Sequence, residues 1–189
     1  MGRVAELGSL GKSKESSHPP YQRMKKLLLL LAFLIAACST RGSGLGSLVL
    51  EGHELHASLK TRQLDDSVRH VPRALLPGNP HVSTNAEFVA VIAKNGSQGR
   101  LGKEGVRSAL YASYLGKKEL GFYGLEAESA ADANRLEDII RKVWSNNARL
   151  GRAQVHRQGL VLVVVWTDGV SPECWEAVNA KVVERLIAP

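Results

Sequence analysis

The feature that most constrains this chain is an unbroken apolar run near its amino terminus. The run extends from Leu27 to Ala37, and Arg23, Lys25 and Lys26 come just before it. As a helix, its eleven residues would extend about 17 Å, whereas the hydrocarbon core of a bilayer is about 30 Å thick. The run is therefore too short to span a membrane comfortably. The order of basic, apolar and small residues is instead typical of a secretory signal peptide.

The apolar run ends in Ile35, Ala36, Ala37 and Cys38. An aliphatic residue, two small residues and a cysteine in this order resemble the lipobox of bacterial lipoproteins, and the resemblance covers residues 24–39. It implies cleavage between Ala37 and Cys38, a diacylglycerol thioether on Cys38, and acylation by fatty acids such as palmitate. Ser39, rather than Asp, in the next position implies an outer-membrane anchor facing the periplasm. The alternatives are an uncleaved signal anchor and a buried helix that ends in a cysteine.

We expect the chain to have five parts. They are an amino-terminal extension (1–23), a signal peptide (24–37), a lipidated Gly/Ser-rich tether (38–47), an irregular segment (48–85) and an α+β globular domain (86–189). Because signal peptides begin close to their basic end, our hypothesis is that translation starts at Met24. The alternative is a signal peptide with a long basic amino-terminal region. A precursor whose mass corresponds to a start at Met1 would support this alternative.

The charge of the chain is concentrated in the export segment. The formal net charge is +7, from 25 Lys and Arg against 18 Asp and Glu. Residues 1–37 hold six of these bases and two of the acids, which leaves nineteen and sixteen, or +3, for residues 38–189. A mildly positive domain suits an anionic membrane surface and gives no argument for nucleic acid. With Cys38 lipidated, Cys174 has no partner for an intrachain disulfide.

The carboxyl-terminal part shows the clearest periodicity. Leu136, Ile140 and Val143 form one apolar stripe, which predicts a helix over 129–145 that begins with a Ser129–Asp132 capping box. Ser171 and Pro172 are typical of the start of a second helix. Between them, the sequence predicts a β-hairpin of Arg152–Arg157 and Leu160–Thr167, whose second strand is apolar on both faces.

Further strands complete the predicted domain. We expect a buried strand over Glu87–Ala93, a strand or short hairpin within Leu48–Leu59, and strands over Val106–Leu115 and Glu119–Leu125, with a helix as the alternative for Val106–Leu115. These elements predict an α+β fold. It consists of a mostly antiparallel β-sheet with the two helices of the carboxyl-terminal half packed on one face.

The best candidate site is aromatic. Trp144, Trp166 and Trp175 fall on three successive elements, and Asp168 lies beside the second of them. Together they could line a pocket or a partner surface. Ordinary core packing is the alternative, and it is the favoured one.

Other candidate chemistry is weaker. His53 and His56 are three residues apart, but two ligands alone do not build a structural zinc site, so we favour a solvated pair and expect no metal and no cofactor. The loop that begins at Gly96 lacks the residues of a phosphate-binding loop and is interpreted as a hairpin loop. Cys174 lies in a first helical turn, which can activate a thiol, yet its apolar neighbours favour a small buried hydrophobe.

These features favour a binding domain over an enzyme. The sequence predicts a cell-envelope lipoprotein, tethered to the membrane by Cys38, whose domain binds an envelope protein or another envelope component without catalysis. One alternative is a lipid-anchored, hydrolase-like enzyme that acts on the cell wall. Another is a periplasmic carrier of a small ligand or a metal ion.

Overall fold

A computed structural model describes residues 44–63, 71–145 and 152–188. The predicted signal peptide, Ala37, Cys38 and the start of the predicted tether lie outside the described residues. The elements in chain order are three 3₁₀ turns (Leu45–Leu48, Gly52–Glu54 and Arg73–Leu75), three helices and six strands. The strands and helices are β1 (Lys60–Thr61), β2 (His81–Ser83), α1 (Ala86–Gly96), β3 (Val106–Leu115), β4 (Glu119–Ala127), α2 (Ala130–Ser145), β5 (Arg152–Gln158), β6 (Val161–Thr167) and α3 (Pro172–Ile187).

The six strands form one antiparallel sheet. Its order is β1-β3-β4-β6-β5, and β2 also pairs with β3, nearer the start of that strand than β1 does. The two strands expected over 106–125 are confirmed as the hairpin of β3 and β4. The hairpin of β5 and β6 is confirmed as well. The predicted α+β class with a mostly antiparallel sheet is therefore correct.

The sheet is covered on both faces. On one face, which we call the α1–α2 face, the core includes Phe88, Ile92, Leu136 and Ile140. On the opposite face, the α3 face, the core includes the α3 residues Trp175, Val178 and Val182. The prediction that both carboxyl-terminal helices pack on one face is wrong. The five residues of β6 from Val161 to Val165 are all buried, so apolar side chains leave this strand on both sides and need a layer on each.

Residues 87–93 form a helix, and the prediction of a buried strand there is wrong. Asn85 caps α1, because its side-chain oxygen accepts hydrogen bonds from the N–H groups of Glu87 and Phe88, both at 3.0 Å. The buried residues of α1 follow helical spacing and are Phe88, Val89, Ile92, Ala93 and Gly96. A short apolar run fits a buried strand and a buried helix equally well.

The starts of α2 and α3 are confirmed by their caps. The Ser129 hydroxyl accepts a hydrogen bond from the Asp132 N–H at 3.1 Å. Ser171 accepts one from the Cys174 N–H at 3.3 Å, with Pro172 in the first turn. No helix in the described ranges is both long enough and apolar enough to span a membrane.

The segment before β1 is part of the domain. It packs beside α3 on the α3 face, and its buried residues are Leu45, Leu48, Leu50, Leu55 and Leu59. Arg185 of α3 donates hydrogen bonds to the carbonyl oxygens of Ser47 and Val49 and forms an ion pair with Glu54. The segment forms 3₁₀ turns in place of the predicted strand or hairpin. Leu45 and Leu48 are therefore part of the α3-face core.

Candidate functional site

One edge of the sheet is closed by a side chain. β1 pairs with the end of β3, β2 pairs with its middle, and Ser113 lies between the two contacts. Here the Asn79 amide takes the place of a paired residue. Its oxygen accepts from the Ser113 N–H at 3.0 Å, and its nitrogen donates to the Ser113 carbonyl at 2.7 Å and to the Arg62 carbonyl at 2.8 Å. The Arg62 N–H also donates to the Ser113 carbonyl, at 3.1 Å.

An ion pair lies next to this closed edge. The Arg62 guanidinium is 2.6 Å from the Glu119 carboxylate, and the two side chains are 16% and 23% exposed. The buried Ser113 hydroxyl donates to the same carboxylate at 2.6 Å. Burial raises the pKa of the neighbouring Tyr111 phenol, and the negative charge of Glu119 adds to the effect. The carboxylate thus fixes the position of the Arg62 side chain.

An open groove of about 330 Å³ runs along this edge. We call it the Arg62 groove, and it is lined by Thr61, Arg62, Gln63, Arg73, Pro77 and Asn79. Two of these side chains, Arg62 and Arg73, end in guanidinium groups, and Glu119 contacts the first of them. Thr61 carries the single hydroxyl of the set, and none of the six is a base such as histidine or a carboxylate. The lining is therefore suited to hold a carboxylate or phosphate group and has no nucleophile–base pair.

The three tryptophans do not form one pocket. Trp175 is buried on the α3 face, whereas Trp144 and Trp166 pack on the α1–α2 face, so the sheet separates them. The Trp144 indole N–H is placed 2.9 Å from the Tyr123 hydroxyl, which itself donates to the Gly96 carbonyl at 2.8 Å. The favoured alternative, core packing, describes the tryptophans better than the pocket does.

Asp168 also stands apart from any aromatic pocket. It is exposed at the end of β6, and its backbone N–H donates to the Glu119 carbonyl at 2.8 Å. Trp166 lies against Gly121 on the next strand, where a Cβ atom would be only 2.5 Å from the indole ring. The glycine therefore makes room for a packed indole over β4.

His53 is exposed, His56 is half-buried, and each has a local partner. His53 Nδ1 lies 3.6 Å from the Glu51 carboxylate, and His56 Nδ1 lies 2.7 Å from the Ser58 hydroxyl. Within the described ranges, no three His, Cys, Asp or Glu side chains are grouped so that they could hold a metal ion. Cys174 is buried in the α3-face core, which agrees with its interpretation as a small hydrophobe.

The loop after Gly96 joins α1 to β3, so it is not the expected hairpin loop. It is anchored by Ser97, which is fully buried. The Ser97 hydroxyl donates to the Ala93 carbonyl at 2.7 Å and accepts from the Leu101 N–H at 2.8 Å. These two bonds connect the end of α1 to Leu101 and hold the turn between them against the core.

The sequence did not point to Arg62 and Asn79 of the groove or to Glu119 beside it. Their contacts join positions far apart in the chain, and the Asn79-Pro80 dipeptide indicated only a turn. Comparisons of the chain with protein-family models, with curated proteins and with solved structures gave no match in any of the three.

Proposed function

We propose that this protein is a cell-envelope lipoprotein whose domain binds an anionic group of an envelope component in the Arg62 groove, without catalysis. The lipobox-like residues that end in Cys38 support the anchor. The observation that carries the binding role is the groove itself, which is lined by two arginines and by Asn79, with Glu119 in contact with the Arg62 guanidinium.

The short spacing between anchor and domain supports a ligand at or near the membrane. Six residues separate Cys38 from the buried Leu45. Fully extended, they and their flanking bonds reach about 25 Å. A lipid on Cys38 therefore holds the domain within about one domain diameter of the bilayer surface.

Arg62 is prepared for binding because its position is set before a ligand arrives. Glu119 holds its guanidinium, and the Arg62 backbone is bonded to Ser113 and Asn79. Binding an anion there costs little side-chain entropy. Arg73 is exposed and is the second arginine of the lining.

The anchor is tested by metabolic labelling with radioactive palmitate in a bacterial host. We expect label on the protein and on a Cys174→Ala control, and none on Cys38→Ala. We also expect the two labelled proteins to fractionate with membranes and Cys38→Ala to be released. Labelling of Cys38→Ala at the level of the control would reject the anchor.

The groove is tested with the unlipidated Cys38→Ala protein, which keeps the whole domain. The anionic probes are inorganic phosphate, a soluble muropeptide with free carboxylates, and vesicles that contain phosphatidylglycerol, so that the arms separate a free phosphate, a cell-wall carboxylate and a lipid headgroup. Arg73→Gln should weaken binding of the preferred probe about tenfold, the equivalent of roughly 1.4 kcal/mol.

The matched control for that variant is Arg100→Gln, an exposed arginine outside the groove. It should bind as the parent protein does. Equal binding by Arg73→Gln and its parent, at an unchanged urea midpoint, would reject the groove as the site, as would no binding of any of the three probes.

A further inference from the structure

At the opposite edge of the sheet, β5 has no further strand beside it among the described residues. β5 pairs with β6 at all seven of its residues and without a register shift. It pairs with no other strand in the ranges 44–63, 71–145 and 152–188. It also contains no proline and no bulge, two of the devices that commonly block an edge strand.

The register of the β5–β6 hairpin determines which backbone groups face outward. Gln158 and Val161 are partners across a two-residue turn, a geometry in which the two residues exchange both of their hydrogen bonds. Such pairs alternate along an antiparallel ladder, so Gln154 and His156 also bond to β6. The N–H and C=O groups that point away from the sheet are therefore those of Ala153, Val155 and Arg157.

Two helices hold this edge strand from its two sides. On the α2 side, Arg157 donates to the Glu137 carboxylate at 2.9 Å. On the α3 side, His156 Nε2 lies 2.9 Å from the side-chain oxygen of Asn179, and the Asn179 nitrogen donates to Gln154 at 2.7 Å. The outward backbone groups thus lie on a strand whose side chains are fixed, which favours the addition of a further strand.

The edge carries an excess of positive charge. β5 contains Arg152, His156 and Arg157 and no acidic residue. Glu137 on α2 is shared by two arginines, since Arg141 also bonds to it, at 2.8 Å. Pairing with a second copy through β5 would bring like charges together, which is unfavourable across a strand pair. Pairing with an acidic segment would instead bring opposite charges together, which is favourable across a strand pair.

We propose that β5 binds an acidic, extended peptide segment of a partner protein as an additional strand of the sheet. Backbone hydrogen bonds to Ala153, Val155 and Arg157 supply the affinity, and the basic side chains of the edge supply the preference for acidic residues. The proposal is independent of the Arg62 groove, which lies at the other edge of the sheet.

Amide hydrogen exchange in the presence of a defined peptide tests the proposal. The probe is a seven-residue peptide of alternating glutamate and threonine with both ends capped, and the comparison peptide has lysine in place of glutamate. We expect the acidic peptide to slow exchange at Ala153, Val155 and Arg157. Exchange at Gln154 and His156 should change little, because those amides already bond to β6. Unchanged exchange at the three outward amides, or equal protection by the lysine peptide, would overturn the proposal.

Two variants sharpen this test. Ala153→Pro removes an outward N–H without removing a bond to β6, and we expect at least about tenfold weaker binding of the acidic peptide. Arg152→Glu leaves the backbone intact and should weaken binding of the acidic peptide about fivefold. It tests the proposal even if Ala153→Pro does not fold. Arg100→Glu is the charge control and should bind like the parent. Equal binding by Arg152→Glu and by Arg100→Glu would contradict the proposal.

Sedimentation velocity without peptide tests whether a second copy of the chain pairs with β5 instead. The parent protein should be a monomer with unprotected amides at Ala153, Val155 and Arg157. A dimer that protects those amides would assign the edge to a second copy of the chain and reject the acidic partner.

Discussion

The two edges of the sheet solve the same problem in different ways. At the β3 edge, two short strands and the Asn79 amide satisfy the outer backbone groups, and an ion pair lies beside them. At the β5 edge, no described strand covers the backbone, and basic side chains line it instead. Two strands as short as β1 and β2, which together have five residues, suffice to close an edge when one side chain fills the gap between them.

The largest expected effect concerns the closed edge. Asn79→Ala removes three hydrogen bonds; the Ser113 N–H loses the amide oxygen that accepts from it, whereas the Ser113 carbonyl keeps the bond from the Arg62 N–H. At about 1 kcal/mol for each bond, we expect the free energy of unfolding to fall by about 3 kcal/mol. Urea denaturation followed by tryptophan fluorescence measures the change. A loss of less than about 1 kcal/mol would show that the edge is held by β1 and β2 alone.

A matched asparagine at the open edge should matter less. Asn179 also makes two side-chain hydrogen bonds, to Gln154 and His156, but both partners are side chains near the surface. Water can replace them, so we expect Asn179→Ala to cost about 1 kcal/mol in the same urea experiment. An effect as large as that of Asn79→Ala would break the contrast between the two edges.

The smallest expected effect is the pH dependence of the Glu137 contact. The hydrogen bond from Arg157, followed by those from Arg141, lowers the pKa of Glu137 below its ordinary value of 4.5. The unfolded chain therefore binds this proton at higher pH than the folded protein does. The stabilisation is present above the unfolded pKa and is lost as the pH falls through the lower, folded value.

Thermal melts at pH 7 and pH 3 measure that effect. The drop in Tm between the two should be slightly smaller for Glu137→Gln than for the parent protein. Glu54→Gln is the comparison at the other side of the domain, since a hydrogen bond from Glu51 and the Arg185 contact also lower the Glu54 pKa. An identical drop in Tm for Glu137→Gln and its parent would show that the Glu137 contact does not contribute to the pH dependence of stability.

The sequence predicted the parts of the fold that depend on neighbouring residues. The caps at Ser129 and Ser171 and the hairpin turn after Gln158 each act over a few positions, so their residue types indicate the structure directly. Where the local pattern was ambiguous, as over Glu87–Ala93, the prediction was wrong, because the six apolar residues after Glu87 are compatible with a strand or a helix.

The candidate site could not be predicted because it depends on distant contacts. Asn79 lies 34 residues from Ser113, and Arg62 lies still further from Glu119 in the chain. No spacing rule joins such positions. The assignment of α2 and α3 to opposite faces had a signal in β6, whose continuous apolar run required cover on both sides.

The contact of Arg185 with the first turns of the domain also has a mechanical consequence. Leu45 packs closely against β4, where a Cβ atom on Gly124 would lie 2.7 Å from the leucine side chain. Arg185 donates hydrogen bonds to the carbonyls of Ser47 and Val49 in and after the turn that Leu45 begins. A force that pulls on the chain ahead of Leu45 therefore loads this leucine and the Arg185 bonds first. We expect tension at the amino terminus to break these contacts before it distorts the sheet or either of its edges.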